Sequence, residues 1–231
     1  SGSYRAARFG MDWVNWLLFR YGHGHWCLTV DADELLVYPH APDMKLGELT
    51  NRLRDKGRRT FGALMVDLYP QGKLGENTYE PGDDPVAALP WFDAGPHSTV
   101  WHAASRSRLV QGGARARVFH AARPQRAPTL NKIPLVHWDR RFAYQNGTHT
   151  LLPARLNDLD GDTLATGVLL HTKFLPDAVA RAIEEKARRE HFSNPDEFSD
   201  YYDALAADPD LWTDTSRRYD DWRTLERHGL L

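Results

Sequence analysis

The chain has one cysteine in 231 residues, Cys27. A lone cysteine excludes an internal disulfide and fits a reducing compartment. No apolar run approaches the roughly 18 residues of a membrane helix, so no transmembrane segment is expected. Charge of one sign is also missing. Lys and Arg number 29 against 31 Asp and Glu, a formal net charge of −2. That balance excludes bulk electrostatic attraction to nucleic acid or an anionic membrane. Repeats, low-complexity tracts and linkers are absent too. What is present is a globular composition, 42% hydrophobic and 26% charged, long enough for one sizeable core. We read residues 1–231 as a single domain.

The most informative segment is Asp31-Ala32-Asp33-Glu34, at the end of the apolar run Trp26-Cys27-Leu28-Thr29-Val30. The run predicts a buried strand, with the acids where it leaves the core. Two carboxylates two residues apart can converge on one hard divalent cation, which prefers oxygen ligands and leaves places for phosphate oxygens. The plainer alternative is a strand that ends in an Asp-rich turn.

Helix and strand patterns alternate along the chain, an α/β signature. Helical spacing is seen over 11–20, 46–53, 176–190, 195–205 and 216–230. Strand patterns fall at 26–30, 61–69, 107–110, 116–120, 133–138 and 168–171. Residues 70–96 form a long loop rich in Gly, Pro, Asp and Asn, and such loops are usually functional or mobile.

Further candidates for chemistry are scattered. His171 ends the apolar pair Leu169-Leu170, and a neutral imidazole there could complete a cation site or sit hydrogen-bonded in the core. Arg115 and Arg117 follow Gly112-Gly113 on alternate residues. In a strand both guanidinium forks would share one face and suit phosphate or carboxylate, unless they merely blunt an edge. Lys132 could likewise face an anion or cap its strand. Candidate general bases are Asp83, Asp84 and Asp93, with Glu80 behind them. Trp91, Phe92, Trp101, Trp138 and Tyr144 could form a sugar-stacking platform or belong to the core.

Taken in order, the motifs resemble those of family 2-like glycosyltransferases with a GT-A fold, in particular a bacterial branch. They are Ala6-Ala7-Arg8-Phe9-Gly10, Trp26 to Leu36 around the Asp-x-Asp block, Met65-Val66-Asp67-Leu68-Tyr69-Pro70, and Phe92-Asp93. Gly112 to Phe119, Lys132-Ile133-Pro134-Leu135-Val136 and Leu170-His171-Thr172-Lys173-Phe174 follow. The similarity spans nearly all of the chain.

The resemblance implies a GT-A-like mixed sheet flanked by helices, with a helical C-terminal region over 176–231. It implies metal-dependent, inverting transfer of a sugar from a nucleotide-diphosphate-sugar, such as a UDP-sugar, to a hydroxyl. The acceptor would be a glycan, lipid-linked or protein group in bacterial polysaccharide biosynthesis. Asp31 and Asp33 map onto the Asp-x-Asp motif that holds the donor diphosphate through Mn2+ or Mg2+, and His171 onto a late ligand of the same metal. Arg8 would frame the donor, and Asp93, ahead of Asp84, would be the acceptor base. In such a site Arg115 and Arg117 would add positive charge at the donor phosphates or bind an anionic acceptor, and Lys132 would face the anionic donor. The family's nucleoside-binding strands should precede Arg5, so the chain is expected to be truncated at its N-terminus. Such an enzyme would be cytoplasmic, free or at the inner face of the membrane. A metal-dependent nucleotidyl- or phosphotransferase and a non-catalytic carbohydrate-binding remnant of a transferase stay open beside it.

Overall fold

From Phe61 to Tyr69 the chain is nearly all apolar, and such a run is stable only when both its faces are covered. In the computed structural model, which describes residues 3–4, 6–157, 159, 166–188 and 199–231, it is the axis of a mixed sheet. That strand, Thr60–Tyr69, is numbered β3 below; all ten of its residues but one are buried. Before it come β1 (Trp26–Leu28) and β2 (Glu34–Val37), and after it β4 (Trp91–Phe92), β5 (His97–His102), β6 (Ser107–Gly112), β7 (Asn131–His137), β8 (Ala143–Tyr144), β9 (Leu151–Leu152), β10 (Gly167–His171) and β11 (Arg217–Arg218). The main sheet runs β1-β7-β3-β10-β2, with β4 paired to the end of β3 and β11 to β4. Among the described residues only β3 and β10 of this sheet are parallel; the other pairings are antiparallel. β5 and β6 form a separate hairpin, as do β8 and β9.

The helices are α1 (Met11–Leu17), α2 (Leu46–Asp55), α3 (Pro85–Ala88), α4 (Gly113–Phe119), α5 (Ala178–Arg188), α6 (Ser199–Ala206) and α7 (Trp222–Arg227). α2 shows why the helical spacing works. Leu49 and Leu53 recur on one face and pack with Phe61 and Leu135 over one side of the sheet. On other parts of the sheet, Leu68, Phe92, Val168 and Leu225 form one cluster, and Tyr69, Phe174, Tyr201 and Leu205 another. The α/β class expected from the sequence is what forms. No helix among the described residues is long and apolar enough to cross a membrane.

Several local expectations are corrected. The segment 26–30 is not a central buried strand. Among the described residues β1 pairs only with β7, and Leu28 and Val30 are exposed. Cys27 is a half-buried free thiol rather than a core residue. Residues 116–120 are not a strand: Gly112 and Gly113, at φ +155° and +67°, turn the chain from β6 straight into α4. A Cβ on Gly112 would lie 2.5 Å from the Pro96 carbonyl, so only glycine fits there. The helix expected over 216–230 shrinks to α7, because 217–218 pair with β4. The ends of the helices expected over 176–190 and 195–205 include 189–198, outside the described residues.

Candidate active site

Three strand ends meet at one place. β3 and β10 are in parallel register with Asp67 beside His171, and β2 returns antiparallel on the far side of β10 with Glu34 beside His171. Residues 29–33 therefore enter β2 at the carboxyl ends of β3 and β10, where open α/β sheets bind ligands. Thr172 fixes this entry: its amide and hydroxyl both donate to the Asp33 carbonyl, at 2.8 and 3.2 Å.

Asp67 is the hub. It is 5% exposed, and a carboxylate buried that deeply needs charged partners. His171 Nδ1 donates to its Oδ1 at 2.7 Å, and Arg115 Nε donates to its Oδ2 at 2.7 Å. Burial pushes the Asp67 carboxyl up, but Arg115 and His171 outweigh it and hold the group well below the usual carboxylate range. An ionised carboxylate can only accept, so the ring proton of a neutral His171 sits on Nδ1. Its Nε2 stands 3.2 Å from Asp33 Oδ2. A doubly protonated ring donates to both carboxylates, whereas the neutral ring, with its proton on Nδ1, turns a lone pair toward a cation beside Asp33. The hydrogen bond from His171 is the main reason the Asp33 carboxyl also lies well below its ordinary range.

Asp31 lies apart from this pair. Its carboxylate is largely exposed and accepts from Lys132 Nζ at 2.8 Å. Lys132 is buried and also bonds the buried Glu34, whose Oε2 accepts from the Asp31 amide at 3.1 Å. Desolvation lowers the Lys132 ammonium, but Asp31 and Glu34 overcome it, and the net shift is upward. Of the three expected metal ligands, Asp33 and His171 are thus brought together, whereas Asp31 is turned toward Lys132. Among the described residues no group of three or more His, Cys, Asp or Glu side chains is placed to hold a metal ion. The donor chemistry nevertheless fits a divalent cation at Asp33 and His171. A carboxylate faces an imidazole whose second nitrogen is fixed by a buried carboxylate, the usual support of a ligating histidine.

The two arginines do not share a face. In α4 residues two apart point about 200° from one another, so Arg115 turns inward to Asp67 while Arg117 turns to Asp93. Arg117 grips Asp93 with both arms of its fork, at 2.9 and 3.0 Å, and donates to the Leu211 carbonyl at 2.7 Å. Asp93 is buried and also accepts from the Tyr69 hydroxyl, which in turn meets Ser216 Oγ at 2.9 Å. Asp93, Arg117 and His97 border a cavity of about 520 Å³. Asp84 is elsewhere: it is exposed and caps α3, accepting from the Val86 amide at 2.9 Å. Asp83 accepts from the Glu80 amide at 2.9 Å in the same loop. Arg8, in a left-handed conformation at φ +49°, donates to Asp12 at 2.7 Å on the surface.

The aromatic platform does not assemble. Phe92, Trp138 and Tyr144 are core residues, Trp91 packs edge-on against Trp212, and the half-exposed Trp101 lines a second cavity of about 230 Å³ with Lys132 and His149.

Sequence reasoning passed over five residues here: Glu34, Asp67, Tyr69, Lys173 and Tyr201. Asp67 had a legible signal, since a charge inside an otherwise apolar strand demands partners. Lys173 and Tyr201 did not, because only the fold brings the segment after β10 to α6, with Phe174 and Tyr201 in one cluster. Lys173 is half-buried and faces Asp33, Asp67, Arg115 and Arg181, yet makes no hydrogen bond or ion pair among the described residues. The Tyr201 hydroxyl is buried without a partner near Arg115 and Asp67.

The chain matches no family model, no curated protein and no solved structure. The site is therefore read from its own chemistry.

Proposed function

We propose that the chain is a metal-dependent glycosyltransferase of GT-A-like architecture, moving a sugar from a nucleotide-diphosphate-sugar to an acceptor hydroxyl. The observation that carries this reading is the meeting of Asp33 and His171 across the carboxyl ends of parallel strands, with Asp67 orienting the ring. The order of the motifs along the chain supports it further.

In this reading Asp33 and His171 hold Mn2+ or Mg2+, and Asp31 joins them by turning away from Lys132. When bound, such an ion neutralises charge on a leaving diphosphate. Asp67 keeps His171 in the tautomer that presents Nε2, and Arg115 keeps Asp67 ionised. Lys132 and Glu34 hold Asp31 at the mouth of the site. Asp93 stays the first candidate for the acceptor base because it lines the larger cavity. To accept a proton it must first be released by the Arg117 fork. Inversion at the anomeric centre, a UDP-sugar donor and a cytoplasmic setting belong to the same proposal.

A donor-hydrolysis assay with Mn2+ tests it. Release of nucleoside diphosphate that is Mn2+-dependent and lost in Asp33→Ala is the expected result. Equal turnover by wild type and Asp33→Ala would sink the metal role, and release of pyrophosphate would move the assignment to a nucleotidyltransferase.

A further inference from the structure

The cations expected to receive phosphate are all engaged. Arg115 is closed on Asp67, Arg117 on Asp93, and Lys132 on Asp31 and Glu34. Each of these cations already has its charge balanced by at least one carboxylate. Lys173 is the contrast. It follows His171 by two residues, sits half-buried where β10 ends, and has Asp33, Asp67, Arg115 and Arg181 around it.

Every neighbouring charge is already in use. Asp33 faces His171 Nε2, Asp67 is shared between His171 and Arg115, and Arg181 bonds Asp177 and the Lys173 carbonyl, at 3.1 and 3.3 Å. The Lys173 ammonium is left with charge and three donors and no acceptor among the described residues. A second, independent group points the same way. Tyr201, only 8% exposed, buries its hydroxyl with no hydrogen-bond partner among the described residues, and it shares with Lys173 the neighbours Arg115, Asp67 and Arg181. A buried donor without an acceptor is a cost that disappears when a ligand brings the acceptor.

We infer that Lys173 and the Tyr201 hydroxyl form the phosphate-binding subsite beside the Asp33–His171 pair, in place of Arg115, Arg117 and Lys132. The ammonium supplies an unpaired point charge, the manner in which lysine binds phosphate. The phenol supplies a neutral donor on a fixed ring. The subsite deepens the transferase reading and rests on it for the source of the phosphate, either a donor diphosphate or a phosphorylated acceptor.

Calorimetry with inorganic pyrophosphate in the absence of metal is the first test, on the wild type, Lys173→Met, Lys173→Arg and Tyr201→Phe. Pyrophosphate is expected to bind the wild type, at least tenfold more weakly to Lys173→Met, and within about threefold of wild type to Lys173→Arg, which keeps the charge. Tyr201→Phe should weaken binding severalfold while its melting temperature stays level or rises, because the orphaned hydroxyl is gone. Absence of pyrophosphate binding by the folded wild type, or equal binding by Lys173→Met, overturns the subsite. If Lys173→Met does not fold, the Lys173→Arg and Tyr201→Phe pair decides: no weakening in Tyr201→Phe also overturns it. UDP with Mn2+ then separates this inference from the reading beneath it. Equal affinity of wild type and Lys173→Met for both UDP and pyrophosphate removes the subsite and leaves the transferase reading. Lys173-dependent pyrophosphate binding without any UDP binding keeps the subsite and removes the nucleotide donor. Displacement of bound pyrophosphate by UDP supports the subsite with a donor diphosphate as its occupant, and co-binding of the two supports it with an acceptor phosphate.

Discussion

Asp67 and His171 lie beside each other in the one parallel pair of the sheet, and the carboxylate receives the ring at 2.7 Å while Arg115 closes its other oxygen at 2.7 Å. All three side chains are buried. Asp67→Asn removes the carboxylate that pairs with Arg115 and leaves either ring nitrogen free to carry the proton. Removing one partner of a buried ion pair costs roughly 3–5 kcal/mol, so Asp67→Asn should lower unfolding stability by that order. Urea denaturation checks it, and Asp67→Asn with Arg115→Met should recover much of the loss. A loss under about 1 kcal/mol in the single variant would show that the pair is wetter than its burial implies.

The Lys132–Glu34 pair, between β7 and β2, makes a parallel case. Both residues are buried, at 6% and 4% exposure, and Asp31 adds a third, exposed partner. Glu34→Gln leaves the lysine one weak and one exposed acceptor, whereas Lys132→Met leaves Glu34 a buried carboxylate with no cation. The lysine change should therefore be the more damaging, again on the order of 3–5 kcal/mol. Glu34→Leu combined with Lys132→Met should be milder than Lys132→Met alone. Equilibrium unfolding of the three variants orders them directly.

How much of this was legible beforehand depends on whether the deciding information is local. The long apolar runs at 61–69 and 168–171 announced β3 and β10, because burial on both faces leaves no other reading. His171 stood out for the same reason, as a polar residue closing such a run. The Arg115 and Arg117 spacing misled. Alternation is diagnostic only inside a strand, and the strained Gly112 turn that starts a helix is decided by the approach of Pro96, some sixteen residues away in sequence. β1 was over-read as a core strand from composition alone, because an apolar tripeptide does not reveal whether one neighbour or two will cover it. Lys173 and Tyr201 come to share the neighbours Arg115, Asp67 and Arg181 only through the fold, so no pattern in either segment contains them.

Asp93 and Asp84, both candidates for a base, predict opposite behaviour. Asp93 accepts from Arg117 and Tyr69 in a buried site, so Asp93→Asn loses a charge-assisted fork worth about 1.5–3 kcal/mol. Asp84 is an exposed helix cap, and Asp84→Ala should cost about 1 kcal/mol. Turnover normalised to folded protein then separates the roles: it should fall by orders of magnitude in Asp93→Asn and hold in Asp84→Ala. Loss in Asp84→Ala instead would transfer the base to the polar loop.

Acid should weaken the fold in two distinct windows. His149 donates from Nδ1 to the Asn131 carbonyl at 2.7 Å; burial above all, with help from Lys132 and Arg115, lowers its imidazole from 6.5 to about 4. A histidine held neutral in the fold binds protons preferentially when unfolded. Its contribution is therefore complete above about pH 6.5 and is lost as pH falls toward 4, a total near 3 kcal/mol for this shift. The carboxyls of Asp67 and Asp33 act lower. Their folded values lie below the unfolded one, so their contribution is present above roughly pH 4 and fades as pH drops further. His149→Gln keeps a donor for Asn131 but cannot titrate. Stability measured from pH 7 to 4.5 should slope more steeply in the wild type than in His149→Gln, whose remaining slope comes from His97, His120 and His137, each lowered by burial, and both should still fall below pH 4. Parallel slopes from pH 7 to 4.5 would assign that window to another group.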